Sequence, residues 1–501
     1  MSDINSLPED IIIEIFGNLS PKMIKTCSLV CKSWNEIIAN SSNLMKNFQL
    51  NLTNSDVNIW IAKEIRRNHQ SIIVKDLEHD SLDVISRHNL KSLNISDAED
   101  IKISILIKAL RNLPALSDFD ARYAQIIHDI PIVAHLKKIR TNLKKLQCGL
   151  EIIHIFNCSS LRKFEVVTEE SPNSNSKELL IDFLSKQKDL KELTLCDEFD
   201  GDLFDSDKIF KFKFSLMKLT LWKYTPFIYY DIFIRLLELQ KNSLISLEVN
   251  FSTEPKSGIE IILKFVMEHL VNLKHLNFGH IDAELENSPF SFRDLITEKQ
   301  VANNIESLVF YTPYDLDEAK RFFKMLPNLK RLNFRAVHSI TVQDVHLLQH
   351  ISCITKLESL SIISLRPNDL NYMQFPNLKE ISVECWDKDF LPAFITQQLI
   401  EYWNEKYLCS FINRHSGTLE KISLPDAEII TEVVAKEILN CINFKSIQLF
   451  QQEISLRPMM PFRGISLKNS VTFTIKTGFE KKIFIFPDDK ALWNEEIKSL
   501  R

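Results

Sequence analysis

Apolar and polar residues along most of this chain fall into one recurring frame. Residues Leu329 to Phe334 read LKRLNF, with apolar side chains at Leu329, Leu332 and Phe334 and polar or basic ones between. The frame returns as Leu273, Leu276, Phe278 and as Leu357, Leu360, Ile362. The close spacing of its last apolar positions is that of a strand with one buried face. Aligned on the first apolar residue, copies start at Leu90, Leu116, Leu143, Leu161, Leu190, Leu216, Leu244, Leu273, Ile305, Leu329, Leu357, Leu378, Leu419 and Phe444, and at the margin Phe462. Helical patterns sit between them, as in GIEIILKFVMEHL (258–270) and DLDEAKRFFKML (315–326). Strand then helix, repeated, predicts an α/β solenoid whose neighbours bury one another's apolar faces.

The steps run from 18 residues (Leu143 to Leu161) to 41 (Leu378 to Leu419). Most lie in or near the roughly 20–29 residues of a leucine-rich repeat. An ordinary α/β domain with leucine-rich strands does not predict such regular spacing. The expectation is a curved leucine-rich-repeat solenoid over 90–467, with one long parallel sheet and outer helices. Many such repeats place Asn or Cys three residues past the last strand position. Here that place holds Ala98, Glu198 and Val337, so an asparagine ladder is absent or irregular and the register is loose. Strand-like VTFTIK (471–476) and KIFIF (482–486) predict a cap over the last edge within 468–501. The segment EESPNSNSKE (169–178) reads as a loop, and the aromatic stretch 390–411 as packing more than as a contact surface.

Residues 6–46 follow a different, wholly helical pattern. Ser6 to Glu9 has capping-box spacing with Pro8 in the first turn, and Ile11, Ile12, Ile15, Phe16 and Leu19 form an apolar face. Ser20-Pro21 starts a second helix, continued by Ile24, Cys27, Leu29, Val30 and Cys31; Trp34, Ile37 and Ile38 make a third stripe. Residues 47–89 form a junction. Val57, Ile61 and Ile65 suggest a helix there, and Ser71–Val74 a strand that starts the sheet.

Composition narrows the chemistry. The 501 residues carry a formal charge of −5, which gives no general attraction to nucleic acid, and the one basic run, 137–145, lacks interleaved aromatics. With 8 glycines there is no GxGxxG or GxxxxGK[ST], and no HExxH or GxSxG is present. We therefore expect neither a cofactor nor an intrinsic enzyme. Nine scattered cysteines read as core residues of a reducing compartment, cytoplasmic or nuclear. Cys27 and Cys31, four apart on one helical face, lack further ligands for zinc, and the acidic 197–207 stretch lacks EF-hand spacing. No apolar run has transmembrane length, and no leader is expected.

The run LPEDIIIEIFGNLSPKMIKTCSLVCKSWNEI resembles the F-box. The matching residues are Leu7, Pro8, Ile11, Ile15, Phe16, Leu19, Val30, Cys31 and Trp34. With repeats behind it, the chain is similar to F-box and leucine-rich-repeat proteins. That resemblance implies a non-catalytic substrate receptor. Those residues would contact the Skp-type adaptor of an SCF ubiquitin ligase, and through it a cullin and a RING subunit, while the repeats hold a protein target. A binding scaffold outside any ligase is the second reading. In the frame, residues between the apolar ones point to the open face of the sheet. There Trp222, His275, Tyr311, Arg331 and Arg335 are candidate target-binding residues, being hot-spot types or near them.

Overall fold

The structure is a computed structural model. It describes residues 7–46, 48–52, 70–75, 82, 85, 89–129, 139–168, 174–196, 212–224, 230–251, 256–278, 304–311, 321–335, 351, 353–363, 374–384, 405–424, 430–450, 471–476 and 481–486. The chain divides into two compact units, Met1–Leu236 and Leu237–Arg501. The architecture is a small helical N-terminal region followed by parallel strands, one per repeat, with helices between them: the leucine-rich-repeat type that the frame predicts.

The N-terminal helices are α1 (Glu9–Gly17), α2 (Pro21–Cys27), α3 (Lys32–Asn40) and α4 (Ser42–Met45). Pro8 stands just outside α1 in an extended conformation, not in its first turn as expected, and accepts the first helical bond from Ile12 N–H at 3.1 Å. Ser6, the expected cap, lies outside the described residues. Ser20 does cap α2, accepting from Met23 N–H, with Pro21 at the first helical position. That helix stops at Cys27, so Leu29 and Val30 lie in a turn and Cys31 precedes α3. Cys27 and Cys31 therefore do not share a helical face, which corrects the sequence reading. Ile12, Phe16, Ile24, Ile38, Leu44 and Met45 form the core, with Leu19, Trp34 and Phe48 packed against it. Phe16 and Trp34 meet edge to face at 5.1 Å, a geometry aromatic pairs favour.

The first unit's sheet starts one strand earlier than expected. β1 (Gln49–Leu52) directly follows Phe48 and pairs in parallel with β2 (Ser71–Lys75), the predicted starting strand. Gln70 Nε2 donates to Ser42 O at 3.1 Å, tying the start of β2 back to α4. The predicted helix around Val57–Ile65 lies outside the described residues. The order continues through β3 (Ser92–Asp97), β5 (Asp118–Ala121), β8 (Lys145–Gly149), β10 (Lys163–Val167), β11 (Glu192–Cys196) and β12 (Lys218–Tyr224), all parallel. Two small parallel pairs, β4 (Ile101–Lys102) with β6 (Ile126–Ile127) and β7 (Ile139–Arg140) with β9 (Phe156–Asn157), were not anticipated. The short step from Leu143 to Leu161 leaves no room for an α-helix and uses a 3₁₀ helix, Leu150–Ile155. Residues 174–178 open the helix Ser174–Ser185 and are not loop as expected. A polar first turn hides a helix start from pattern reading.

In the second unit β13 (Ser246–Phe251), β14 (His275–Phe278), β15 (Ser307–Tyr311), β16 (Arg331–Arg335), β17 (Ser359–Ile363), β18 (Glu380–Glu384), β19 (Lys421–Leu424), β20 (Ser446–Phe450) and β21 (Val471–Lys476) pair in parallel. β22 (Lys481–Phe486) closes the order antiparallel to β21, as the strand-like tail suggested. The Phe462 copy lies outside the described residues. In both units each frame from Leu90 to Phe444 starts two residues before a strand, and its first side chain is buried. Within each unit the next two N–H groups both point at one carbonyl of the preceding repeat: Lys330 and Arg331 donate to Glu306 O, each at 2.9 Å. The helices Lys256–His269, Glu405–Arg414 and Glu432–Asn440 fall between frames; Glu405–Arg414 overlaps only the end of the aromatic stretch 390–411, and Glu432–Asn440 was not anticipated.

Candidate functional site

Two surfaces hold the residues singled out by sequence. On the helical region, Leu7, Pro8, Ile11 and Ile15 are exposed along the start and outer face of α1, and Leu29 and Val30 project from the turn after α2, at 79% and 62% exposure. Met23, which the sequence reading passed over, is exposed as well. Single exposed apolar residues are ordinary; this many on about forty residues are not. Fully covering one such side chain is worth about 1.5–3 kcal/mol. The remaining matched residues lie underneath. Phe16 is 2% exposed in the core, Leu19 and Trp34 pack on it, and Cys31 is half-buried. Phe16 thus lies beneath the exposed set, in the core of the helical region.

The second surface is the open face of the strands. Its middle row is polar: Asn94, Asp120, Gln147, Glu165, Thr194 and Thr220 in the first unit are register partners strand to strand. Arg122 forks across this row, donating to Asp120 from Nε at 3.1 Å and Nη2 at 3.0 Å, and to Glu165 from Nη1 at 2.8 Å. Gln147 Nε2 also donates to Glu165, at 2.5 Å. Burial alone lowers the Arg122 pKa, but the hydrogen bonds and charges of Asp120 and Glu165 override it and the net shift is upward. Such a network fixes side chains. Thr220, expected on the exposed face, is buried, while Trp222 on the same strand is 48% exposed.

In the second unit His275 and Arg331 meet across the intervening strand β15: Arg331 Nη2 lies 3.4 Å from His275 Nδ1. A guanidinium only donates, so in this contact Nδ1 is the accepting atom. Asn277 Nδ2 donates to Glu248 at 2.8 Å in the next row. Tyr311 and Arg335 are backbone register partners on β15 and β16; their side chains lie outside the described residues. The structure thus brings His275 to Arg331, pairs Tyr311 with Arg335 by backbone, and holds Trp222 in the other unit.

Two devices escaped the sequence reading. The second residue of the frame runs Lys274, Glu306, Lys330, Glu358, Lys379, Glu420, Lys445, alternating in sign through consecutive repeats. Lys330 bonds Glu306 at 3.0 Å, Lys379 bonds Glu358 at 2.9 Å and Lys445 bonds Glu420 at 2.6 Å, with Lys274 near Glu306 at 3.6 Å. The Lys330 hydrogen bond holds Glu306 below its usual pKa, and the Glu358 hydrogen bond raises Lys379. An asparagine ladder also exists, but immediately before the frame. Asn272, Asn304, Asn377 and Asn443 each donate from Nδ2 to a carbonyl of the preceding repeat, at 2.8, 2.7, 2.8 and 2.8 Å. The recurrent Asn-Leu, Asn-Ile and Asn-Phe pairs were its signal.

Among the described residues reactive groups are not gathered. Burial pushes the Cys148 thiol well up, Cys158 to about 12 and Cys441 to about 11, so these are protonated and inert near neutrality. Among the described residues no three His, Cys, Asp or Glu side chains are placed to hold a metal ion. No helix among them is long and apolar enough to cross a membrane.

A family model described as F-box-like matches residues 4–50. No curated protein matches the chain. Among solved structures the chain is similar to one in the crystal structure of the Rad7 and Elc1 complex in yeast, at 12% identity and a TM-score of 0.37, over 93% of this chain and 98% of that one. It is also similar to a protein from Bacteroides fragilis, at 13% identity and a TM-score of 0.26, over 52% of this chain and 74% of that one.

Proposed function

We propose that this chain is a non-catalytic substrate receptor of an SCF-type ubiquitin ligase. Leu7, Pro8, Ile11, Ile15 and Val30 dock on a Skp-type adaptor that brings in a cullin and a RING subunit, and the open face of the repeats holds a protein target. The observation that carries this reading is the exposed apolar set on a well-packed helical core, inside the segment that matches the F-box-like family. Ubiquitin transfer then belongs to other subunits, and this chain supplies proximity.

The test is calorimetric titration of purified chain with a Skp-type adaptor. Leu7→Ala with Pro8→Ala should weaken binding at least about tenfold, since losing part of an apolar anchor costs more than about 1.4 kcal/mol. The thermal melting curve should not change, because both side chains are exposed. Unaltered affinity would move the docking surface elsewhere, and no binding by the wild type would favour a scaffold outside the ligase. Target capture is assigned to His275, Tyr311, Arg331 and Arg335 in the second unit and to Trp222 in the first. The exposed Arg331, beside His275, suits a carboxylate or phosphate. Arg331→Glu with Arg335→Glu should abolish capture while adaptor affinity stays the same.

A further inference from the structure

From Lys274 onward the second frame position alternates in charge in the second unit, and the same position in the first unit does not. It runs Lys91, Ser117, Lys144, Arg162, Lys191 and Met217. These residues follow one another rung by rung: each donates its backbone N–H to the carbonyl of the one before, at 2.8 Å from Ser117 to Lys91, 2.7 Å from Lys144 to Ser117, 2.8 Å from Arg162 to Lys144, 2.8 Å from Lys191 to Arg162 and 2.7 Å from Met217 to Lys191. Neighbouring rungs of a sheet are about 4.8 Å apart. Lys144, Arg162 and Lys191 are therefore three cations on consecutive rungs, with Lys91 two rungs further on.

All four are exposed. Among the described residues no carboxylate is ion-paired with them; Lys191 Nζ reaches only the Ser215 carbonyl, at 3.4 Å. The neighbouring row at the strand entries is nearly balanced. Lys163 bonds Glu192 at 3.4 Å, and Asp118 is the register partner of Lys145. Glu192 directly follows Lys191 but is ion-paired with Lys163, and Asp189 lies two residues before Lys191. Where each lysine of the second unit's row has a glutamate beside it, Lys274 and Lys330 sharing Glu306, this row keeps its mutual repulsion. An anionic ligand laid along it gains attraction and removes that repulsion together.

We propose that this row is the docking site for an extended acidic segment of a protein target. Four rung steps from Lys91 to Lys191 span about 19 Å, the length of roughly six extended residues. The anions are carboxylates or phosphoserines, which share the chemistry of hydrogen-bond-accepting oxygens. The row holds no aromatic side chain on which a nucleic-acid base would stack. This inference rests on the protein-binding reading and names the chemistry of one partner.

The experiment is fluorescence anisotropy with the full chain and labelled peptides: one rich in glutamate, its glutamine counterpart, and one carrying phosphoserines. Oligo-uridine serves as the nucleic-acid comparison. We expect the anionic peptides to bind with an affinity that falls as salt rises, and the glutamine peptide not to bind. Lys144→Gln, Arg162→Gln and Lys191→Gln together should weaken binding at least about tenfold. Lys330→Gln with Lys379→Gln, in the balanced row, should leave it within about twofold. A preference for phosphoserine over glutamate of about tenfold would assign phosphate as the anion source, and equal binding would assign charge alone. Equal affinity of the wild type and the triple variant, or stronger binding of oligo-uridine, would overturn the proposal. Adaptor titration separates the two readings, and the triple variant should keep the wild-type adaptor affinity. A wild-type chain that binds the adaptor but none of the anionic peptides sinks this inference only.

Discussion

At the scale of single residues, His415 shows how burial sets a charge state. It is 4% exposed, with Nδ1 2.9 Å from Phe411 O and Nε2 accepting from Phe375 N–H at 3.4 Å. One nitrogen donates and the other accepts, so the ring is neutral. Burial lowers its pKa below the ordinary 6.5, with the charge of Arg414 acting in the same direction. The unfolded chain therefore takes up the proton first. Stability from this site is present above about pH 6.5 and is lost as pH falls from there through the lowered folded value. Urea midpoints measured from pH 7.5 to 5.5 should fall for the wild type, and fall less steeply for His415→Gln; parallel slopes would remove His415 as the cause. Nothing in FINRHSGTL announced this role. The division of the apolar residues in α1 was equally hidden. Ile11, Ile12, Ile13, Ile15 and Phe16 make a stripe wider than one buried face, and only packing decides that Ile12 and Phe16 go inward while Ile11 and Ile15 do not.

At the scale of elements, the frame was the legible part. Its period located the strands of both units because each strand must bury alternate side chains, and that demand is written in the order of residues. β1, the two small strand pairs and the helix at 174–185 carry no such demand over enough residues to be seen. The alternating Lys–Glu row yields its own expectation. Glu306 with its lowered pKa contributes above the ordinary glutamate range and loses that contribution as pH falls through its folded value. Lys379, raised, contributes below the ordinary lysine value and loses it as pH rises through its folded value. Between these limits salt is the remaining lever. A double-mutant cycle of Lys379→Met and Glu358→Gln should show coupling at low ionic strength that disappears at about 1 M salt. Additivity at both would mean the pair is geometric only.

At the scale of the molecule, an ordered row of strands has an end problem, and the antiparallel β22 is how the second unit meets it. Removing residues 471–501 would leave the edge of β20 open, and light scattering should then show concentration-dependent association. A monodisperse monomer with an unchanged melting curve would show that β20 needs no cover. The asparagine ladder bears on what such a chain tolerates. Each clip fastens a repeat to its predecessor just upstream of the strand. The step closed by Asn377, from Leu357 to Leu378, is 21 residues, and that closed by Asn304, from Leu273 to Ile305, is 32, yet both strands enter the sheet in the same register. Segments downstream of a strand can therefore lengthen, shorten or be replaced by foreign sequence without shifting the rungs. That makes this chain a chassis onto which loops can be grafted one repeat at a time, by natural insertion or by a protein engineer.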